Sequence, residues 1–522
     1  MPESGKNAVS GTKTEKTDSD RLRGGNVRIR IFVLLAALAT CASARIIHVP
    51  GDSVNIQGGL NIALSGDTVL VATGNYSERI IWPSRDGIKL LSEAGALATV
   101  IDAKDSGRVI TMNAMNYTSA TVVQGFTITR GLLSNYPGNG AGIWCQGSPV
   151  FSRNRIVYNR LKTMGYGGGV YCVGAPSFFE NIIAWDSIWS AGGGGWRYGA
   201  GICCIGSGSF VQNLFLENAS FDTFGGGFWY GGALYVGGSA LVFNNLFARN
   251  QAGATTGGFA YGGALCIDSG SAYVANNTFV ANRCSTAVPY GGAIYVNNTR
   301  TATIKNNTIV GNIANGIVPF GGGIACRPDT LDTLVFGYND VWDNSPSNYY
   351  SCRPGQGSLS TDPLFVTSPA GDYFLSQIAA GQDTTSPCAD AGDTLPAGLD
   401  SLLRLWTTRT DSVHDAGIAD LGYHYYLAAL TALENPGTVW NQGQSLVLRA
   451  APNPFHTRVV FQLPSGTRVQ HLEIRDVAGR RVASLAVKDM LVWNGRDGNG
   501  ATLPAGLYFV SAGQTRLKVI KE

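Results

Sequence analysis

Three carboxylates and one arginine stand where acid–base chemistry would need them. Asp186, Glu217 and Asp222 lie beside two glycine-rich insertions, 187–199 and 219–230, and Arg197 lies inside the first. Converging loops would pair two of these carboxyls for cleavage of a glycosidic bond; loops that stay apart leave them solvated. Histidine takes no part, since none occurs between His48 and His414. The other acids, Glu180 and Asp268 with Asp329 and Asp332 beyond, are scattered rather than clustered, so neither a metal centre nor a cofactor is expected.

Aromatic side chains offer a second chemistry, contact with the apolar face of a sugar ring. Trp144, Tyr171, Tyr235 and Tyr295 share one periodic row with Cys203, Cys266 and Ala325, and a second row holds Tyr166, Tyr198, Tyr230, Tyr261, Tyr290 and Phe320. The same rings can instead stack on one another and stiffen the scaffold.

Both rows belong to a repeat that must position them. Asparagine recurs every 27 to 32 residues at Asn154, Asn181, Asn213, Asn245, Asn277, Asn307 and Asn339, each followed five residues later by Asn159, Asp186, Asn218, Asn250, Asn282, Asn312 or Asn344. In phase with these pairs comes a glycine step and an apolar run, as in GGALYV at 231 and GGAIYV at 291. A fixed period of this length marks a solenoid, and short runs of period two mark strands. One repeat of two or three strands plus corners is one turn of a parallel β-solenoid, with equivalent residues about 4.8 Å apart. At that spacing amides hydrogen-bond up the column, whereas stacked carboxylates would repel by roughly 3 kcal/mol at an effective dielectric near 20. The asparagines are therefore read as a structural ladder. Alternation points Ile143, Val170, Ile202, Leu234, Leu265, Ile294 and Ile324 inward, with Cys145, Cys172, Cys204 and Cys326 two residues on. These cysteines fill core steps, or pair as neighbours such as Cys145 and Cys172 in an oxidising compartment.

The net charge of +3, with scattered basic residues, excludes a nucleic-acid footprint. Residues 28–44 have the form of an export signal, with Arg28 and Arg30 before an apolar core and Ala42-Ser43-Ala44 as the cleavage site. No other segment approaches the roughly 20 apolar residues of a membrane span.

Residues 46–425 resemble the right-handed parallel β-helix proteins of the pectate-lyase-like superfamily, through GDTVLVATGNYSE at 66, GFTITRG at 125, the glycine steps with their asparagine partners, and the closing DPLFV, GDYFL and SPCADAG. Active members cleave polysaccharides, but the paired aspartates with Gly-His-Gly and Arg-Ile-Lys are absent here, and Ca²⁺ enters only if the chain is a lyase. Residues 450–522 are similar to type IX secretion sorting domains and hook-capping-type Ig-like modules, through APNPF at 451, DVAGR at 476, WNGRD at 493, PAGLYF at 504 and the terminal KVIK. That resemblance implies recognition by an exporter.

The expected architecture is all-β. Residues 1–44 form an extension and signal, 45–426 a parallel β-helix with a short N-terminal helix over Ile56, Leu60 and Leu64, 427–446 a linker around Asn435-Pro436-Gly437, and 447–522 a β-sandwich. The motifs from 360 to 425 are expected to close the far end, with a disulfide between Cys352 and Cys388. Function is read as a secreted or outer-surface scaffold for adhesion to a polysaccharide or envelope glycan, with residues 447–522 engaging the secretion machinery. The alternative is a polysaccharide lyase or glycoside hydrolase.

Overall fold

Short alternating runs form strands, and the repeat lays each strand on its counterpart one coil away. The computed structural model describes residues 44–190, 194–223, 225–297, 301–328, 334–368 and 371–426, with 449–451, 459–462, 471–476, 480–486, 491–498, 500–512 and 515–521 of the tail. The expected export signal as far as residue 43, the expected linker at 427–446, and Asp329 and Asp332 lie outside the described residues.

One coil shows the plan. Ile143–Gly147 (sheet 1), Val150–Ser152 (sheet 2) and Arg155–Val157 (sheet 3) are followed by Arg160–Leu161 (sheet 4) and Gly165–Tyr166 (sheet 5), before Val170–Gly174 opens the next coil. Pairing between coils is parallel, with Cys145 opposite Cys172, Phe151 opposite Phe178, Ile156 opposite Ile183 and Tyr166 opposite Tyr198. Sheets 1, 2 and 3 hold ten, eleven and ten strands and sheets 4 and 5 seven and six, so the last two belong to the middle coils. Five strands per coil correct the expected two or three. The stretches read as glycine-rich loops also alternate, and Ala219–Asp222 and Phe228–Tyr230 pair with the coil above like any other strand.

The inward positions of sheet 1 are fully buried and join Phe151, Phe178, Phe210, Phe215 and Phe247 in one continuous core. Two corners bound sheet 3, and each is made by a residue of left-handed backbone just ahead of a ladder amide. Gln212, Asn244, Asn276 and Asn306 (φ 59, 52, 53 and 56°) precede the first ladder, and Trp185, Glu217, Arg249 and Ala281 (φ 56, 54, 56 and 53°) precede the second. The amides that follow turn inward and bond up the stack. Asn245 donates from its backbone N–H and from Nδ2 to Asn277 Oδ1 at 2.8 and 3.0 Å, and Nδ2 also reaches the carbonyls of Phe210 and Phe243. Asn213 donates to Asn245 in the same way. Each asparagine from Asn154 to Asn307 in the first column donates its N–H and Nδ2 to the next Oδ1, ending on Asn339, and all are 1% exposed or less.

The entrance is covered as the sequence requires. Helix α1 (Ile56–Ile62) is capped by Asn55 and turns Ile56 and Leu60 onto the core. The Glu78 carboxylate accepts from the N–H groups of Ile56 and Gln57 at 2.9 Å, placing an anion at the helix start. Gly59 permits the close seat, since a Cβ there would stand 3.0 Å from Val69 and 3.1 Å from Val49.

The far end departs from expectation. The last rung is made by Tyr349–Tyr350, which pairs with Ile324–Cys326, and by the chain near Gln356 and Leu359, which bridges Gly337 and Asp340. Residues 371–426 instead fold back along the flank as a strap over the outer faces of sheets 2 and 3. Phe374, Tyr423 and Tyr425 cover Leu214 and Leu246, while Leu403 and Trp406 cover Val211, Phe243 and Ala275. The outward column of left-handed residues holds it. Gln212 Nε2 donates to His424 O, Asn244 Oδ1 accepts from His424 N, Asn276 Nδ2 donates to Asp420 O, and Asn306 Oδ1 accepts from Asp393 N. The tail forms two antiparallel sheets sharing a core of Val459, Leu472, Ile474, Trp493, Tyr508, Val510 and Val519.

Replacing Asn245 by Ala orphans buried donors and acceptors on three coils at once. It is expected to destabilise the solenoid by at least about 3 kcal/mol, read as a lowered denaturant midpoint. A loss below about 1 kcal/mol would mean that the ladder contributes little.

Candidate functional site

The sheet 5 strands after the first, Gly138–Asn139, end in a tyrosine, and a glycine of left-handed backbone then swings the chain into sheet 1. At Gly231 (φ 66°) a Cβ would lie 2.3 Å from Leu234 O, and at Gly232 it would lie 2.1 Å from Gly263 O, so neither position accepts a side chain. The tight turn presses the aromatic column against the outward row of sheet 1. Rings of Tyr166, Tyr198, Tyr230, Tyr261, Tyr290 and Phe320 stack in sequence at 5.0, 4.8, 4.8, 5.3 and 4.7 Å.

The outward row fills the angle beneath them. Above Trp144, Tyr171, Tyr235 and Tyr295 alternate with Cys203, Cys266 and Ala325, and each of these rings lies against a column tyrosine. Tyr235 meets Tyr198 edge-on at 4.8 Å, and Tyr295 meets Tyr261 at 4.8 Å. Tyr235 and Tyr295 are only 6% exposed. The expectation that this row offers ring faces to a sugar is therefore corrected, since neighbouring rings occupy the faces. Trp144, half-buried, has the Arg108 guanidinium 5.1 Å from its ring centre. What the column tyrosines turn outward are edges and hydroxyls.

Beyond the tyrosines, three polar residues follow sheet 1 on successive rungs: Asp268, Asn297 and Arg327. Asp268 accepts from Tyr235 Oη at 2.7 Å and from Asn297 Nδ2 at 2.9 Å. A cleft of about 340 Å³ opens here, walled by Tyr230, Tyr261, Tyr290 and Tyr295 and floored by Asn297, Cys326 and Arg327. Burial pushes the Tyr261 phenol up to about 12 and Tyr295 higher still. These hydroxyls stay protonated at neutral pH and serve as neutral donors and acceptors. The sequence reading counted Asp268 among scattered acids and missed Asn297 and Arg327. Their common offset from the glycine step, six residues after Gly262, Gly291 and Gly321, was the available signal. It also missed a second aromatic column two residues ahead of the tyrosines, where Trp196, Phe228 and Phe259 stack at 6.5 and 5.5 Å, with Trp196 53% and Phe259 38% exposed.

The acid–base candidates are not brought into one solvent-reached site. Asp222 and Arg197 form an ion pair with both side chains sealed from solvent, and the guanidinium lies 5.1 Å from the Trp229 ring centre. Burial, opposed by Arg197 and by the N–H of Ser190, raises the Asp222 carboxyl. Glu217 lies on the surface, where it meets Arg249 at 3.1 Å and Trp185 Nε1 at 3.0 Å. Asp186 is a rung of the second ladder: its Oδ1 accepts from Asn159 N and Nδ2, and its N–H donates to Asn218 Oδ1. Its Oδ2 occupies the place of an amide nitrogen, without a hydrogen-bond partner and closed in by Gly169. Among the described residues no group of three or more His, Cys, Asp or Glu is arranged to hold a metal ion.

Cys352 and Cys388 are both free thiols and sit in different surroundings. Cys352 packs on the main core, whereas Cys388 packs with Leu375 and Leu421 and donates to Asp340 Oδ2 at 3.3 Å.

Residues 141–327 match the family described as right handed beta helix region. The solenoid is a right-handed parallel β-helix. No curated protein matches the chain. The matched span contains the aromatic columns, the cleft and most of both ladders of the β-helix.

Asp186 yields a prediction with a definite sign. Burial holds its folded carboxyl well above the ordinary aspartate value of 3.8. The folded state therefore binds the proton more tightly than the unfolded chain. The resulting stability is fully present below about pH 4 and is lost as pH rises toward the folded value. Asp186→Asn, which restores the missing donor, should raise the thermal midpoint at pH 7 and leave it nearly unchanged at pH 4. Equal gains at both pH values would show that Asp186 does not titrate with folding.

Proposed function

We propose that this protein is an exported β-helix scaffold that binds carbohydrate along the face formed by sheets 5 and 1. The reading rests on the cleft, where a row of neutral tyrosine hydroxyls at rung spacing runs into Asp268, Asn297 and Arg327. Such a surface suits a polyhydroxylated chain lying along the solenoid axis, with its hydroxyls meeting one rung after another and one acceptor-rich group reaching Arg327. The column of Trp196, Phe228 and Phe259, exposed at Trp196 and Phe259, extends the same face. Location outside the cell is supported by the export signal at 28–44 and by the tail motifs, which also point to exporter recognition of residues 447–522.

Binding of the full chain to an array of structural polysaccharides tests this. Arg327→Ala and Asn297→Ala are each expected to weaken retention at least about tenfold, the loss of one charge-assisted or buried hydrogen bond. Glu217→Gln, outside the cleft, should bind as the parent does. A parent protein that retains no glycan, or an Arg327→Ala variant that binds equally well, defeats the reading.

A further inference from the structure

We propose that Cys326 and Cys352 form a disulfide that staples the last two rungs of sheet 1 together. The inference rests on the backbone of the final rung and not on the carbohydrate reading. Ile324–Cys326 pairs in parallel with Tyr349–Tyr350, Ile324 opposite Tyr349 and Ala325 opposite Tyr350. Continued register would set Ser351 against Cys326. Ser351 instead has left-handed backbone (φ 50°), and the side chain that follows it onto the core is Cys352. Cys352 Sγ lies 3.9 Å from Ile324 O and 3.4 Å from Tyr350 O, on top of the strand that carries Cys326. The Cys352 thiol lies close enough to push the titration of Cys326 upward. The rung spacing of about 4.8 Å sets the scale of the gap to the residue after Ser351, and a disulfide spans Cα separations of roughly 4.4 to 6.8 Å.

Accessibility selects this pair over the others. Cys145, Cys172 and Cys204 also neighbour one another in register, but all three are wholly buried in the core. Cys203 and Cys266 are separated by Tyr235. Cys388 faces Asp340. Cys352 alone among the described cysteines is partly exposed. It is therefore the sulfur that an external oxidant reaches first.

The chemistry closes with a small-molecule disulfide as oxidant. The Cys352 thiolate attacks one sulfur of that disulfide, forming a mixed disulfide and releasing one small thiol. Cys326 gives up its proton and attacks Cys352 Sγ, releasing the second small thiol. Two protein thiols are oxidised and one external disulfide is reduced to two thiols. The new bond joins the last regular coil to a rung whose strand is only two residues long, where the stack is least supported.

The test treats the folded full chain with oxidised glutathione in mildly alkaline buffer, alkylates remaining thiols, and maps peptides without reduction. A single linkage between Cys326 and Cys352 is expected, with Cys145, Cys172 and Cys204 still alkylated only after unfolding. The thermal midpoint should rise by several degrees and fall back on adding dithiothreitol. Cys352→Ser should abolish both effects, and the more conservative Cys352→Ala should do the same if the serine variant folds poorly. Unlinked Cys326 and Cys352 after oxidation, a Cys352–Cys388 linkage, or a linkage with no change in midpoint overturns the proposal.

Discussion

Each side chain in this β-helix meets the residue at its own position one strand spacing, about 4.8 Å, above and below. A column is therefore stable only if its residue type tolerates a copy of itself. Amides do, because one end donates and the other accepts, and the two buried asparagine columns use that property from Asn154 to Asn344. Aliphatic and aromatic residues do, by packing and stacking. Carboxylates do not, and ionic residues accordingly appear where the neighbouring rung differs. Arg153 stands over Glu180, Glu217 over Arg249, and the Asp268, Asn297 and Arg327 run ends in opposite charges. Asp186 is the exception within a ladder, and the structure tolerates it with one oxygen left without a partner.

The same constraint decides what the aromatic face can do. The column rings from Tyr198 to Tyr290 are stacked on copies of themselves and have spent both faces, while Tyr235 and Tyr295 lie buried beneath them, so neither row offers the ring faces that polymer stacking needs. Hydroxyls and ring edges remain, at a regular interval. The recognition proposed for this face is consequently hydrogen bonding rather than stacking, and the cleft differs from the rest of the column in adding an amide and a guanidinium.

Much of this was legible in the chain. The asparagine pairs, the glycine steps and the inward isoleucine column are properties of single residues at a fixed period, and the period fixes their register. The helix over Ile56 and Leu60 followed from the need to cover exposed core. Sheets 4 and 5 escaped notice because glycine-rich stretches such as 219–230 resemble loops, while their alternation spans only three or four residues. The roles of the acids were misjudged because sequence distance from a glycine-rich stretch does not tell inward from outward. Asp222 and Arg197 point into the coil and find each other, whereas Glu217 sits on a left-handed corner that faces solvent. The partner of Cys352 depended on one left-handed residue, Ser351, which no pattern announces.

The course of the strap bears most on function. Read as a linear sequence, the motifs after residue 360 look like an end cap, since they follow the last coil. Their backbone instead matches an outward amide column, Gln212, Asn244, Asn276 and Asn306, that runs back along the flank. The apolar outer residues of sheets 2 and 3, Leu214, Leu246 and Phe243 among them, are thereby removed from water. Among the described residues no such cover lies on Trp196 or Phe259, which remain more than a third exposed. A protein that buries one aromatic and aliphatic flank under its own chain while leaving the other open has two faces of different purpose. The covered flank stabilises the solenoid, and the open face of sheets 5 and 1 is where the proposed binding is placed.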